Sequence, residues 1–294
     1  MRIVVYTALV GSYDHVPQPE VVWEGCDYIM FTDVVQDERI GIWKVLAIPY
    51  ANKDNTRIAR WVKTHPHVLL PDYDYSLWMD ANVVVKDIRF YEIVKGEMAK
   101  GVRLASFDHI WRDCCYDEGL AVVSMRRDVL CSVLPEMAVL RDAHYPHHHG
   151  LCETNCVLRK HGDSEISAMN EDWWRMIDTY SKRDQLSFNY VAWKRGLDVQ
   201  LFLGKGHNTR NHTYVSCMGH KDTYSKANDL WGRRIYQSYV KRMTPLWDKY
   251  THHCDKAGWI EFQLKTMHWC YNVLLRIYML MHDVKFAIKK NREV

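Results

Sequence analysis

The sequence predicts an α/β protein: a mixed, mostly parallel sheet flanked by helices, followed by a helical C-terminal extension. Three observations carry this. Strand-like apolar runs alternate with helical patterns over the first hundred residues, as in a sheet built from crossover units. Polar residues gather where those runs end: Thr7, Asp33, Asp80 with Asn82, and Asp108 with His109. From about residue 228 the pattern turns helical, aromatic and basic.

RIVVYTALV (2–10) is a continuous apolar run ending at Gly11, the mark of a central strand. CDYIMFTD (26–33) and IWKVLAIPY (42–50) follow as strands. DNTRIARWVKTH (54–65) reads as a helix that Asp54 can cap and Pro66 ends. DYSLWMDANVVV (74–85) is the next strand, 88–100 a helix and VRLASFDH (102–109) a strand. Segments 116–141 and 151–161 read as helices on either side of the loop HYPHHHG (144–150). Residues 171–195 read as helix, break, helix, and DVQLFLG (198–204) as a late strand. The expected division is a catalytic α/β domain over 1–215 and a basic, aromatic helical extension over 216–294.

Bulk properties narrow the function classes. The 294 residues carry 48% hydrophobic and 26% charged residues, so the chain can bury a sizeable core. The net charge of +3 does not point to nucleic acid. It is unevenly spread: residues 221–294 hold 14 Lys/Arg against 7 Asp/Glu, leaving 1–220 mildly acidic. Nine cysteines and a strand-like start without a secretory pattern suggest reduced thiols and a cytoplasmic protein. No apolar run reaches the roughly 18–20 residues of a membrane span. The basic helical stretch 268–292 could instead lie at the inner membrane face, or pack on the domain or on a second subunit as a homodimer.

Asp80-Ala81-Asn82 places two oxygen-bearing side chains in a run of apolar residues. Burying an unpaired carboxylate costs several kcal/mol, so the pair needs a reason. It can hold Mn²⁺ or Mg²⁺ at a phosphate-bearing ligand, or form an Asx turn. Arg57, Arg60 and Lys63 share one side of the proposed helix, as a phosphate-facing row or a solvated face. Arg183, Asp184 and Gln185 precede an apolar helix; Asp184 could cap it, or with Gln185 hold sugar hydroxyls. Glu153 and Asn155 follow the His-rich loop as reaction-centre candidates, or as an acidic helix start. His207 and His212 lie on a late loop that could complete a metal site. His144, His147, His148, His149, Cys152 and Cys156 raise the question of zinc, but no C-x₂-C pair is present and Cys114-Cys115 are adjacent. Walker, G-x-G-x-x-G, H-E-x-x-H and G-x-S-x-G motifs are absent.

In order, YTALVGSYD, CDYIMFTD, TRIARWVKTHPH, YDYSLWMDANVVV, HIWRDCCYDE, YPHHHGLCETNCVLR and YSKRDQLSF closely resemble the glycosyltransferase-like family long catalogued as a domain of unknown function. Its members occur in bacterial polysaccharide clusters and plant Golgi proteins, and the resemblance spans about 3–215. It implies a GT-A-like, Rossmann-like domain using a nucleotide-sugar donor, UDP-linked, with a divalent metal and a glycan or lipid-linked acceptor. By the resemblance Asp80 and Asn82 stand at the D-x-D metal motif, with the second acid replaced by an amide. Thr7, Ala8 and Asp33 stand at the nucleoside, and Arg57, Arg60 and Lys63 at the diphosphate. Asp184-Gln185 looks like the D-Q pair of retaining enzymes, with Glu153 as the competing base of an inverting one. His207 or His212 would be the late metal ligand; Asp108, His109, Asn155 and Arg183 would line the donor. The rival readings are a nucleotidyltransferase or phosphohydrolase at the same metal site, and a non-catalytic glycan-binding protein.

Overall fold

The computed structural model describes residues 1–11, 18–218, 230–252 and 257–290, without the side chains of 230–233 and 281–290. The basic end of the proposed membrane segment, 281–292, therefore lies outside the described side chains. The chain sorts into two compact units: residues 1–118 with 146–223, and residues 119–145 with 224–294.

The first unit is built on an eight-stranded sheet. Its strands are β1 (Ile3–Leu9), β2 (Asp27–Thr32), β3 (Arg39–Ile40), β4 (Trp43–Ala47), β5 (Tyr75–Met79), β7 (Leu104–Asp108), β8 (Cys152–Lys160) and β9 (Gln200–Leu201), in the order β3-β4-β2-β1-β5-β8-β7-β9. β6 (Val83–Val85) pairs separately with β10 (Val215–Cys217). β4, β2, β1 and β5 run parallel, while β8 is antiparallel to both β5 and β7. This is the mixed, mostly parallel α/β architecture that the sequence predicts. The helices of this unit are α1 (Asn55–Thr64), α2 (Pro66–Leu69), α3 (Ile88–Ala99), α6 (Ser164–Thr179) and α7 (Gln185–Lys194). Asp54 caps α1 by accepting from the Thr56 N–H, and Asp163 caps α6 likewise.

Three expectations are corrected. Residues 151–161 do not form a helix. Their core is strand β8, buried along nearly its whole length between β5 and β7, so it shows no alternation to separate it from a buried helix. SLWMDANVVV is not one strand: β5 ends at Met79, the chain turns at Asp80, and β6 enters the small sheet. Segment 116–141 is two helices, α4 (Cys115–Ser124) and α5 (Leu130–Asp142).

The second unit is helical. α8 (Leu230–His252) and α9 (Ala257–Lys290) pack together and against α5. Met243, Trp247, Tyr250 and Leu264 are buried there. Arg141 donates to the Tyr250 carbonyl at 3.0 Å and lies over that residue's ring. No helix among the described residues is long and apolar enough to cross a membrane.

Candidate active site

Because β8 runs against its neighbours, its first residues share an edge with the last residues of β5 and β7. Met79 pairs with Cys156, Phe107 with Glu153 and Asp108 with Cys152. The Asp80 N–H donates to the Asn155 carbonyl at 2.8 Å. One topological fact thus brings Asp80, Asp108, Glu153 and Asn155 to the carboxyl end of the parallel strands, where open α/β sheets bind ligands.

Side-chain alternation along β8 divides this edge. Thr154 donates to Asp184 Oδ2 at 2.8 Å. Glu153 and Asn155 engage the loop 204–213 instead: Arg210 Nε donates to Glu153 at 2.9 Å, and Asn155 Nδ2 donates to Thr209 Oγ1 at 2.8 Å. Asp108 anchors the same loop by accepting from the Gly206 N–H at 2.7 Å. Gly206 has a φ of +80°, a conformation that disfavours any side chain.

The Thr154 side holds a group of two carboxylates and two cations. Lys63 Nζ is 2.5 Å from Asp184 Oδ2 and 3.4 Å from Asp80 Oδ1. Arg60 lies 3.0 Å from Asp184 Oδ1 and 3.6 Å from Asp80 Oδ1. Trp78 Nε1 donates to Asp80 Oδ1 at 2.7 Å. The Lys63 and Asp184 side chains are 0% and 2% exposed, a cost that only close pairing offsets. Burial would raise the Asp184 pKa, but the charges of Arg60 and Lys63, then Arg183, hold it far below the usual carboxylate range. Burial lowers the Lys63 pKa against the pull of Asp184 and Asp80. Asp184 occupies the N-cap position of α7 without making a cap bond, because its carboxylate is spent on these cations.

Glu153 has the opposite electrostatics. Burial raises its pKa; Arg210 opposes the rise, and Asp80 and Glu118 add to it. Its Oε2 is buried without a hydrogen-bond partner, as are Asn155 Oδ1 and Thr7 Oγ1. Orphaned buried oxygens at three candidate positions are groups a ligand can satisfy.

The remaining candidates are spread more widely. Arg57 is turned away from the Asp80 group: its guanidinium donates to the carbonyls of Ile177 and Tyr180, at the end of α6. Asp33 is exposed and accepts from the Gly11 N–H at 3.0 Å, just beyond the end of β1, while Thr7 and Ala8 on β1 pair with Met30 and Phe31 of β2. His109 Nδ1 accepts from the Arg112 N–H, and its Nε2 lies 3.8 Å from the buried Glu118. Gln185 Nε2 donates to the Cys152 carbonyl at 3.4 Å. Arg183 contributes charge to Asp184.

His207 and His212 lie together, ring centroids 5.7 Å apart. His212 Nδ1 accepts from the Tyr214 N–H, and burial, His207 and Arg89 lower its pKa. Among the described residues neither joins Asp80 in a group of three ligand atoms.

For a divalent cation the donor set is small but usable. Asp80 spends Oδ1 on Trp78, Lys63 and Arg60, while its Oδ2 has no partner among the described residues. Asn82 Nδ2 donates to the Met218 carbonyl at 3.0 Å, and the Met218 N–H donates back to Asn82 at 2.8 Å. An aspartate could not make the first of these bonds.

Thr154, Thr209, Arg210 and Trp78 were not singled out in the sequence. Reading 152–160 as a strand would have exposed Thr154, which lies on the opposite face from Glu153 and Asn155. The other three carry no motif of their own.

The family model of the TOD1/MUCI70 glycosyltransferase-like domain matches residues 1–218. The chain belongs to this family. It is 25% identical over 251 residues to the "Probable hexosyltransferase MUCI70" of Arabidopsis thaliana, covering 68% of this chain and 39% of that protein. The chain therefore spans well under half the length of that relative. Among solved structures, it is similar to the galactosyltransferase LgtC in complex with donor and acceptor sugar analogs, at TM-score 0.43 and 11% identity, covering 82% of this chain and 95% of that one. The apo WbbM bifunctional glycosyltransferase gives 0.40 and 11%, covering 68% and 38%. The mannosyltransferase PcManGT from Pyrobaculum calidifontis, in complex with GDP-Man and Mn²⁺, gives 0.38 and 9%, covering 98% and 80%.

Proposed function

We propose that residues 1–215 transfer a sugar from a nucleotide-sugar donor, UDP-linked, to a glycan or lipid-linked acceptor. The observation that carries this is the buried Lys63–Asp184 pair, extended by Arg60 to Asp80 at the strand end. Two fixed cations beside an open carboxylate oxygen are suited to a charged diphosphate leaving group. Arg60, the more exposed of the two cations, meets the diphosphate. Lys63 holds Asp184 in place, and Thr154 fixes the carboxylate's second contact. Thr7, Ala8 and Asp33 form the nucleoside end. Asp80 Oδ2 and Asn82 would hold a divalent cation, which would neutralise the departing diphosphate. His212 is left out of that ligand set because its Nδ1 accepts from the Tyr214 N–H, and His207 because among the described residues it does not join Asp80 in a group of three ligand atoms.

We keep the retaining reading, in which Asp184 and Gln185 face the donor sugar. A second reading is favoured by one observation: Glu153 combines a raised pKa with an orphaned oxygen, as a general base requires. The experiment is proton NMR of the product formed from an α-linked UDP-sugar. Retention requires an α product and a Glu153→Gln variant that keeps most of its turnover. A β product, with turnover abolished in Glu153→Gln, would move the base role to Glu153.

Peripheral membrane contact is the proposed role of α9. Trp259, Phe262, Trp269, Leu274, Ile277 and Leu280 are each about half exposed or more, an unusual apolar display for a surface helix. Truncation near 220 is a poor test, since it strips α8 and α9 from α5. Trp269→Glu in the full chain is a better one. It should lose flotation with anionic liposomes at low salt, while the wild type floats; equal flotation of both would leave the membrane role without support.

A further inference from the structure

The sequence poses zinc within the His-rich loop and the two cysteines after it, but the fold disperses that set. Cys152 and Cys156 are built into β8, both buried. A different set comes together. Cys114 Sγ, a carboxylate oxygen of Asp117 and a ring nitrogen of His148 all lie within 4.8 Å of one another. The thiol is 1% exposed, whereas Asp117 and His148 face solvent and leave an entry path. His147 Nδ1 stands 3.8 Å from Cys114 Sγ.

The surroundings support the set. His148 Nδ1 lies 2.8 Å from Asp113 Oδ1. A carboxylate can only accept, so the imidazole donates there and keeps the lone pair of its other nitrogen; ligating histidines are commonly oriented this way. His148 has a φ of +53°, and the Gly150 N–H donates to the Asp113 carbonyl at 2.9 Å, holding the loop to the 109–114 segment. Thiolate, imidazole and carboxylate together select zinc over Mg²⁺ or Ca²⁺, which prefer oxygen alone.

We propose that Cys114, Asp117 and His148 bind one Zn²⁺, with His147 or water in the fourth position and Asp113 orienting His148. The thiol proton leaves to solvent as the thiolate forms the zinc–sulfur bond. The ion fixes the loop 144–150, whose His148 and His149 line a cavity of about 500 Å³ with Asp108, Asn189 and Lys205. This site is independent of the glycosyl-transfer reading.

The test uses the full chain, stripped by a chelator and titrated with Co²⁺. Cobalt bound to a thiolate gives a ligand-to-metal charge-transfer band that oxygen and nitrogen ligands do not. The band should saturate at one equivalent and be displaced by Zn²⁺. It should vanish in Cys114→Ser and persist in Asp80→Ala. Asp113→Asn should weaken binding by roughly 10–100-fold. Two controls matter. Cys217 lies close enough to feel the Asp80 charge, so a band lost in Asp80→Ala but kept in Cys114→Ser would overturn the proposal. So would the absence of a band at saturating Co²⁺. If Cys114→Ser fails to fold, mass-mapped alkylation of wild-type Cys114 replaces it: Zn²⁺ should protect that thiol, and undiminished labelling would overturn the site.

Discussion

Asp184→Ala will destabilise the protein by about 3–5 kcal/mol, because it leaves Lys63 buried without its closest counter-charge. Lys63 is 0% exposed, so it cannot swing to water, and Asp80 at 3.4 Å is a weaker substitute than Asp184 at 2.5 Å. Much of this cost belongs to the abandoned cation. Removing that cation as well, in Asp184→Ala/Lys63→Met, should therefore recover a large part of it. Urea denaturation of the wild type, both single variants and the double variant measures this directly. Additive losses would show that the two side chains are not coupled.

The same pair sets the acid limb of stability. Asp184 titrates at lower pH in the folded chain than its ordinary 3.8 in the unfolded one. Its contribution is thus complete above about pH 4 and is lost as pH falls below that. The acid limb of the wild type should be steeper than that of Asp184→Asn, and identical slopes would count against the depressed pKa.

Asp80→Ala is expected to lower kcat/KM for the UDP-sugar by roughly 10²–10³-fold, the cost of removing one preorganised electrostatic partner of a transition state. Two roles meet at this carboxylate: Oδ1 balances Arg60 and Lys63, and Oδ2 is open. Asn82 behaves differently. Its amide N–H binds the Met218 carbonyl, so Asn82→Asp would set a carboxylate against a carbonyl oxygen and cost about 1–3 kcal/mol of stability. The amide in place of a second acid is thus explained by what it donates to. It need not mark a decayed metal site. Because Asp80 is a quarter exposed and Asp184 is not, Asp80→Ala should fold normally and show its loss in turnover.

The fold class was legible in the sequence because the parallel strands announce themselves as apolar runs ending in polar residues. β2, which runs into Thr32 and Asp33, and the Tyr75–Met79 strand, which runs into Asp80, have this form. The strand that organises the site was not legible. β8 is buried on both faces and inserted antiparallel, so its register depends on β5 and β7, which no local pattern encodes. The site was legible to the same degree. Asp80, Lys63, Arg60 and Asp184 were all singled out, but their convergence is tertiary. The spacing that put Arg57 in a row with Arg60 and Lys63 was real. A helix face cannot show that the first of the three meets the carbonyls ending α6.

The most direct test of the central claim is the thermal stability of the full chain with UDP, GDP and CMP, each with and without Mn²⁺. Nucleotide-sugar transfer at the Asp80–Lys63–Asp184 edge predicts a concentration-dependent rise in Tm with UDP, larger with Mn²⁺. In Asp80→Ala the added effect of Mn²⁺ should disappear. A chain that none of the three nucleotides stabilises, with or without the metal, would contradict the account.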